Sequence, residues 1–499
     1  MNTKRILHAV LAAMLMAWLA LPAWAFSLRG PRDTWQTAGI GYGVVVSDLG
    51  GPMNLGEEYR LNVPLLTYGF DSTFLNYFGS NGMVAVEAAF TILNATPHVS
   101  QMSASLAEFP TQTKLQNFRA ASLGIQDIKS TVLGIMVAQM GLADPERFVW
   151  TLRDRQVGGN PSRTNYLVIK RNFDPTTLSP SSFVNGTLYT YDIREFDLPA
   201  VFADAVERPV DPQATSFSSV ASVDGPVVGS SLFNAGLNAG EFFTGLTRDD
   251  FGGLRYLLRF NNYNVERLAP GVTLVPQPVN GVFGPSSSFG SFLFGPGGIQ
   301  FSSPWGPTGT NGGFTNGSGT NVLVTTALRP GIGKVSFQKV LFDSLLYSTL
   351  NVTNMFTDTV ITNGISTNQL VQRVQTLPDI LFTAADLGVV VTAGVPVPIL
   401  FTRTVLGNWV NNSALNGAGG VALPGPGVID PGSGAAPAIT ITFSKLGPYF
   451  INSTPFFLNE GNAFAGSVWG YIRGVRPEDI SVFPNSTTVQ DLENQVLGR

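Results

Sequence analysis

The chain has 499 residues, of which 44% are hydrophobic and only 12% are charged, about half the charged share of an average soluble domain. Its net charge of −4, without clusters of Lys and Arg, argues against nucleic acid as a partner. The absence of cysteine excludes disulfides, a thiol nucleophile and thiolate metal sites. The length predicts two domains, and 55 Gly with 33 Pro predict a β-rich, loop-rich body.

Residues 1–25 have the three parts of a secretory signal peptide. Lys4 and Arg5 precede an apolar stretch, and Ala23-Trp24-Ala25 has the small-x-small pattern that signal peptidase accepts. We therefore expect a mature chain that begins at Phe26 and is exported to a bacterial cell envelope or the extracellular space. An uncleaved anchor is the alternative reading. No later run reaches the length of about 18 apolar residues that spans a membrane, so no transmembrane helix is expected after the signal is removed.

The first strong pattern of the mature chain is Leu65–Thr96. Leu65–Phe70 is typical of a core strand, and Asp71 is expected to cap a short turn of helix. A further helix of about three turns follows, with Val84 and Ile92 on one side.

A longer helical pattern follows at Leu115–Leu142, whose apolar residues recur at spacings of three and four. It predicts a long amphipathic helix packed on a sheet. Asp144, followed by Pro145, indicates a new helix. Thr187–Phe196 is typical of a strand, and Leu246–Leu258 begins with capping residues typical of a helix.

The predicted fold class is α+β, with two domains after the signal peptide. Residues 26–268 form the mixed domain, and residues 269–320 form a linker or surface loop rich in Gly, Pro and Ser. Residues 321–499 are expected to form a β-rich, sandwich-like domain, because short apolar runs alternate there with turn residues. A low-complexity insert at 414–437 interrupts this second domain.

Two segments of the first domain carry a family resemblance. LTRDDFGGLRYLL at Leu246–Leu258 resembles the closing helix of matrixin-type metzincin peptidases, and LLTYGFD at Leu65–Asp71 resembles their opening strand and helix. The resemblance covers residues 63–258 and implies a metzincin-like scaffold. That family needs three His ligands and a Glu base on Zn²⁺, whereas this chain has two His, one of them within the signal peptide. The resemblance thus implies a non-catalytic relative. Convergence on similar helix caps is the alternative.

Other catalytic patterns are weak. Ser336 and Lys339 match S-x-x-K, but they lie in a predicted strand and the companion K-T-G is missing. No glycine-rich phosphate loop lies between a strand and a helix, which disfavours nucleotide-dependent chemistry.

Acidic and aromatic residues supply the remaining candidate sites. Carboxylates at short spacing suggest calcium at Asp192, Glu195 and Asp197. The acidic pairs could serve glycoside hydrolysis if they faced a cleft; they are Glu57 with Glu58, Asp249 with Asp250, and Glu478 with Asp479. Candidates for a glycan-binding platform are Trp305, Trp409, Trp469 and Tyr471. Surface solvation of the acids and core packing of the aromatic residues are the simpler explanations.

Together these patterns predict an exported, non-enzymatic protein of the cell surface or extracellular space. It would act by binding or self-association, with itself or envelope glycans as partners and without a cofactor. The alternative is a carboxylate-dependent hydrolase that acts on glycans.

Overall fold

The computed structural model describes residues 25–31, 35–40, 49–50, 52–56, 58, 60–158, 163–196, 202–211, 237–269, 271–275, 322–346, 348–362, 365–384, 404–407, 439–442 and 468–499. The predicted signal peptide up to residue 24, most of the predicted linker and the predicted insert at 414–437 lie outside these ranges.

Helices occur in both halves of the described chain. The α-helices are α1 (Ser72–Asn94), α2 (Phe118–Ser122), α3 (Ile128–Gln139), α4 (Pro145–Phe148), α5 (Arg248–Leu258) and α6 (Val489–Leu497). Short 3₁₀ turns lie at Ala38–Ile40, Val99–Gln101 and Pro477–Asp479.

Strands outnumber helices, and many are short. In the first half they are β1 (Ser27–Leu28), β2 (Gly30–Pro31), β3 (Leu49–Gly50), β4 (Leu65–Phe70), β5 (Lys114–Gln116), β6 (Ile125–Asp127), β7 (Leu142–Ala143), β8 (Thr151–Gly158), β9 (Arg163–Ile169), β10 (Phe183–Val184), β11 (Thr187–Phe196), β12 (Phe202–Pro209) and β13 (Glu241–Phe243). Those that follow are β14 (Asn264–Arg267), β15 (Val272–Leu274), β16 (Thr326–Arg329), β17 (Ser336–Lys339), β18 (Phe342–Asp343), β19 (Ser348–Thr349), β20 (Val352–Thr362), β21 (Ile365–Gln375), β22 (Ile380–Phe382), β23 (Thr404–Gly407), β24 (Ile439–Thr442), β25 (Val468–Ile472) and β26 (Ile480–Val482). The mixture of helices and strands confirms the α+β class.

Strand β4 is the centre of the fold, as the apolar run at Leu65–Phe70 predicts. It lies between β17 and β22 in a three-stranded sheet and runs parallel to both. Helix α1 covers this sheet: the rings of Tyr68 and Phe90 stack with centroids 3.8 Å apart, and Phe70 and Phe74 lie 4.9 Å apart.

Local capping sets the ends of the helices. The side chain of Asp71 accepts the N–H of Phe74 at 2.9 Å and begins α1, as predicted. Gly79, with a φ of 58°, separates a short first part of α1 from a longer second part, because glycine adopts this left-handed conformation at little cost. Asp144 likewise begins α4 by accepting the N–H groups of Glu146 and Arg147.

The predicted long helix at Leu115–Leu142 is wrong. The segment instead contains β5, α2, β6 and α3 in succession. Asn117 and Asp127 each cap a new helix, and Gly124, with a φ of 70°, follows the C-cap residue of the first one. The apolar spacing continues across the break because both short helices bury residues, whereas Phe118, expected in the apolar stripe, is 76% exposed.

Strand pairing crosses the predicted domain boundary. β4 of the first half pairs with β17 and β22 of the second, β6 pairs in parallel with β25, and β14 pairs with β16. One core cluster accordingly includes residues from Phe26 to Phe483. The described strands beyond residue 321 therefore do not form a separate sandwich. Their partners are distant in the sequence, and parallel pairing needs crossovers that periodicity does not reveal.

The five-stranded sheet that carries the candidate interaction surface has the strand order β14-β16-β20-β21-β15. Its middle is the long hairpin of β20 and β21, whose register runs from Val352 opposite Gln375 to Thr362 opposite Ile365. Each of the two strands has 11 residues.

We expect Phe382→Ala to destabilise the whole described core. Phe382 is fully buried against Phe70, Phe74 and Phe90, so its truncation should lower the free energy of unfolding by about 3–5 kcal/mol. Urea unfolding followed by circular dichroism and fluorescence measures this loss. Phe118→Ala is the exposed control and should change stability by less than about 0.5 kcal/mol. Two separate transitions, of which Phe382→Ala shifted only one, would contradict a shared core.

Candidate interaction surface

The hairpin of β20 and β21 turns its charged residues inward. The Arg329 guanidinium contacts both carboxylate oxygens of Asp358, at 2.8 and 3.0 Å, and both side chains are almost fully buried. Arg373 forms the same kind of bidentate pair with Asp379, and this pair is also buried. Such charge-assisted pairs fix the orientation of the strands that carry them.

The opposite face of the hairpin carries no charged side chain. Because side chains alternate along a strand, Thr353, Met355 and Thr357 lie on one face of β20 and stand opposite Val374, Gln372 and Leu370 of β21. Met355 is 66% exposed, and Leu370 and Val374 are exposed as well. The outer face is therefore a neutral surface of threonine and apolar side chains.

A smaller hairpin of β18 and β19 directly precedes β20 and also exposes apolar side chains. The exposed apolar residues in and beside it are Leu341, Leu345, Leu346 and Leu350, and Leu345 at the turn reaches 91% exposure. The Asp343 carboxylate accepts the N–H groups of Leu345 and Leu346 at 2.8 and 3.1 Å, which holds both leucines in the turn. The N–H of Thr349 donates to the carbonyl of Thr376 and joins the two hairpins.

We call this region the hairpin surface and define it by Leu341, Leu345, Leu346, Leu350, Thr353, Met355, Thr357, Leu370, Gln372 and Val374. Among the described residues from 341 to 376, Asp343 is the one exposed charged side chain. Exposed apolar residues concentrated in this way mark interaction sites more often than scattered ones do. This surface was not predicted from the sequence. The available signal was that β20 and β21 together contain two charged residues, Asp358 and Arg373.

The calcium candidates are not brought together. Asp192 pairs with Arg208, and Glu195 accepts hydrogen bonds from Arg155 and Tyr166. The two acids stand an odd number of residues apart on β11 and hence lie on opposite faces of the strand. Asp197 lies outside the described residues, and the described part of the chain contains no group of three or more acids or histidines arranged for a metal.

The aromatic candidates do not form a platform in the part that the structure describes. Trp469 is 1% exposed and belongs to the core, and Tyr471 is half-buried beside Arg473. Trp305 and Trp409 lie outside the described ranges.

Three described members of the acidic pairs, Glu58, Asp249 and Asp250, lie in the interior, and Asp479 accepts the N–H of Arg476 at the 3₁₀ turn Pro477–Asp479. Asp250 accepts the backbone N–H and the hydroxyl of Thr247 at the start of α5, as predicted. Asp249 is buried and accepts the N–H groups of Ala25 and Asn185, and burial raises its pKa well above the ordinary value. Burial also raises the pKa of Glu58. Glu478 is exposed and Glu57 lies outside the described residues.

A further acidic cluster surrounds Arg147. Its guanidinium contacts Asp204 at 2.7 Å and Glu207 at 3.0 Å. Burial nevertheless raises the pKa of both acids, because the desolvation of each carboxyl outweighs its attraction to Arg147. Burial raises the pKa of Asp144 too. These carboxyls are enclosed, so they lack the open cleft that a glycosidase pair requires.

The remaining chemical candidates are also separated. Ser336 and Lys339 lie on opposite faces of β17, and Lys339 pairs with Glu87. His98 accepts the N–H of Ser100 and begins a 3₁₀ turn, with its ring 5.5 Å from that of Phe260.

Comparisons of the chain with protein-family models, with curated proteins and with solved structures found no match. The metzincin resemblance of residues 63–258 therefore stays a prediction. None of the described helices is long and apolar enough to cross a membrane.

We expect the protein to become less stable as pH rises above about 4.3, the ordinary pKa of a glutamate carboxyl. A buried carboxyl with a raised pKa stays protonated in the folded chain after the unfolded chain has lost that proton. The stability that this carboxyl contributes is fully present below its pKa in the unfolded chain. That stability is lost as pH rises through its pKa in the folded chain. Calorimetric unfolding across this range measures the slope, to which one such group contributes up to about 1.4 kcal/mol per pH unit.

Glu207→Gln should make the fall of stability with pH shallower, because it removes a carboxyl whose pKa is raised and keeps an acceptor for Arg147. Glu195→Gln is the matched control: its carboxyl is exposed, and hydrogen bonds from Arg155 and Tyr166 lower its pKa. The control should leave the slope above pH 5 unchanged, because that carboxyl is already ionised in both the folded and the unfolded chain. A stability that rises with pH in the wild-type protein would contradict raised pKa values for the buried carboxyls.

Proposed function

We propose that the chain is an exported, non-enzymatic protein that acts at the cell envelope or outside the cell, by binding or self-association through the hairpin surface. The observation that carries the proposal is the concentration of exposed apolar side chains around a single exposed charge, Asp343. Burying a leucine or methionine side chain contributes about 1.5–3 kcal/mol, so a partner that covers several of them gains substantial affinity.

The placement of the acids supports binding over hydrolysis. A glycoside hydrolase needs two carboxyls that face each other across an accessible cleft. Here Asp204 and Glu207 share a buried arginine, whereas Asp192 and Glu195 lie in separate surface ion pairs. No observation in the described residues favours the carboxylate-dependent hydrolase over the binding function.

The predicted signal peptide supports export, and the cysteine-free composition is compatible with a bacterial envelope protein whose core alone holds the fold. In this proposal, residues 63–258 are a metzincin-like scaffold that has kept its helix caps without a zinc site. The partners are further copies of the chain or envelope glycans.

We expect the double variant Leu345→Glu with Leu346→Glu to weaken association by at least about tenfold, because two exposed leucines lose their apolar contacts. Analytical ultracentrifugation measures self-association, and sedimentation with purified envelope polysaccharide measures glycan binding. The control is Val157→Glu with Leu167→Glu on the β8–β9 hairpin, where both side chains are also exposed, at 57% and 54%. It should leave association unchanged.

A wild-type protein that binds neither itself nor envelope polysaccharide would contradict the proposed function. Equal losses in both double variants would show that the added charges act nonspecifically, and this result would also count against the hairpin surface.

A further inference from the structure

Strand β20 has a backbone edge that the sheet covers only at one end. The neighbouring strand β21 bonds to the β15 segment on its far side. The N–H of Val374 donates to the carbonyl of Gly271, and the carbonyl of Leu370 accepts the N–H of Val275. Both residues of β21 thus direct their backbone groups away from β20. In an antiparallel ladder, the residues opposite them also point away from the pair. Thr353 and Thr357 therefore direct their N–H and C=O groups to the open side, and Met355 between them does the same.

The neighbouring strand β16 meets β20 on this open side at one position, Leu328 opposite Ile361. Continuing that register places Pro330 opposite Thr359, and proline has no N–H to donate to a ladder. The pairing ends there. Within the described residues, the edge from Thr353 to Thr357 has no ladder partner.

An open edge of this kind selects a strand as its partner, because the row of N–H and C=O groups matches another extended backbone. Edge strands usually carry lysine, proline or an inward-pointing charge against such pairing. The exposed side chains here are Thr353, Met355 and Thr357, none of them charged. The one charge on β20, Asp358, is held by Arg329 beneath the sheet.

The edge is also complementary to itself. Two antiparallel copies of β20 related by a two-fold axis at Met355 place Thr353 opposite Thr357 of the partner. Threonine pairs across strands are favourable. Asp358 then stands opposite an uncharged Val352, so no like charges meet. An axis at Thr357 would bring Thr353 against Ile361, which β16 already occupies.

We propose that the exported protein forms a two-fold dimer in which β20 of each copy pairs antiparallel with β20 of the other, centred on Met355. This inference deepens the proposed function, on which it rests, by naming the partner as a second copy and the contact as a shared sheet. Thr353, Met355 and Thr357 each exchange both backbone hydrogen bonds with the partner strand. The β18–β19 hairpin directly precedes β20 in the chain.

A single cysteine tests the register, because the natural chain contains none. Residues directly opposite in a hydrogen-bonded antiparallel pair have Cα atoms about 5.5 Å apart, within the range that a disulfide spans. Met355→Cys in the full chain, purified as the cell processes it, should give a disulfide-linked dimer on mild oxidation. Gln372→Cys is the matched control, because it lies directly opposite Met355 on the same face but one strand away from the seam. It should stay monomeric on a denaturing gel.

Met355→Lys tests the energetics, since it places two ammonium groups against each other at the axis. Sedimentation equilibrium should show a dimer affinity at least about tenfold weaker than that of the wild type. Leu167→Lys, at an exposed position of β9 outside the hairpin surface, should change it less than about twofold. A folded Met355→Lys variant, checked by circular dichroism, that dimerises as the wild type does would overturn the inference.

The outcomes separate this inference from the proposed function. A monomer that still binds polysaccharide through Leu345 and Leu346 would overturn the dimer and leave the function standing. A dimer that cross-links equally in the Met355→Cys and Gln372→Cys variants would overturn the register. A monomeric Met355→Cys variant whose thiol is protected from maleimide would show the edge covered by the same chain, which also overturns the inference. A monomer that binds nothing would overturn both.

Discussion

The outward face of the long hairpin depends on two buried ion pairs, Arg329 with Asp358 and Arg373 with Asp379. Side chains alternate along a strand, so a slip of one residue would turn every inward side chain outward. Such a slip would leave the partners Arg329 and Asp379 buried without their counter-ions. An uncompensated buried charge costs several kcal/mol, more than a buried pair does. The ion pairs therefore determine which face is exposed, and the exposed face is neutral because the charges are inside.

The same contacts connect the hairpin to the central strand. Asp379 accepts the N–H of Thr67 in β4 at 2.8 Å as well as the side chain of Arg373. Gln375, the last residue of β21, donates to the same carboxylate at 2.6 Å. Since Thr67 and Asp379 are 312 residues apart in the chain, this network links the two predicted domains through buried polar groups. The position of the hairpin is thus set by the core beneath it.

Local signals in the sequence were sufficient for several elements. Asp71 and Asp144 cap helices by contacts within three residues, and the apolar run of Leu65–Phe70 is a core strand. The same kind of signal was present at Asn117 and Asp127, but continuous apolar spacing concealed the break between α2 and α3. Nonlocal pairing was beyond such reasoning. The spacing of Asp192 and Glu195 suggested a metal site, but arginines of other strands, Arg208 and Arg155, pair with them. The neutral outer face can be recognised only when the buried partners of Asp358 and Arg373 are known.

The symmetry of pairing determines whether an open strand edge leads to open-ended aggregation or to a closed dimer. A long uncharged edge favours pairing with any exposed strand, and head-to-tail pairing leaves a free edge at each step and builds fibres. Two-fold pairing of β20 with itself uses the same edge in both copies, so assembly stops at two. Pro330 contributes to this limit, because it ends the β16 ladder and defines where the open edge begins. The residues that keep β16 from extending along β20 are therefore the ones that leave room for a second copy.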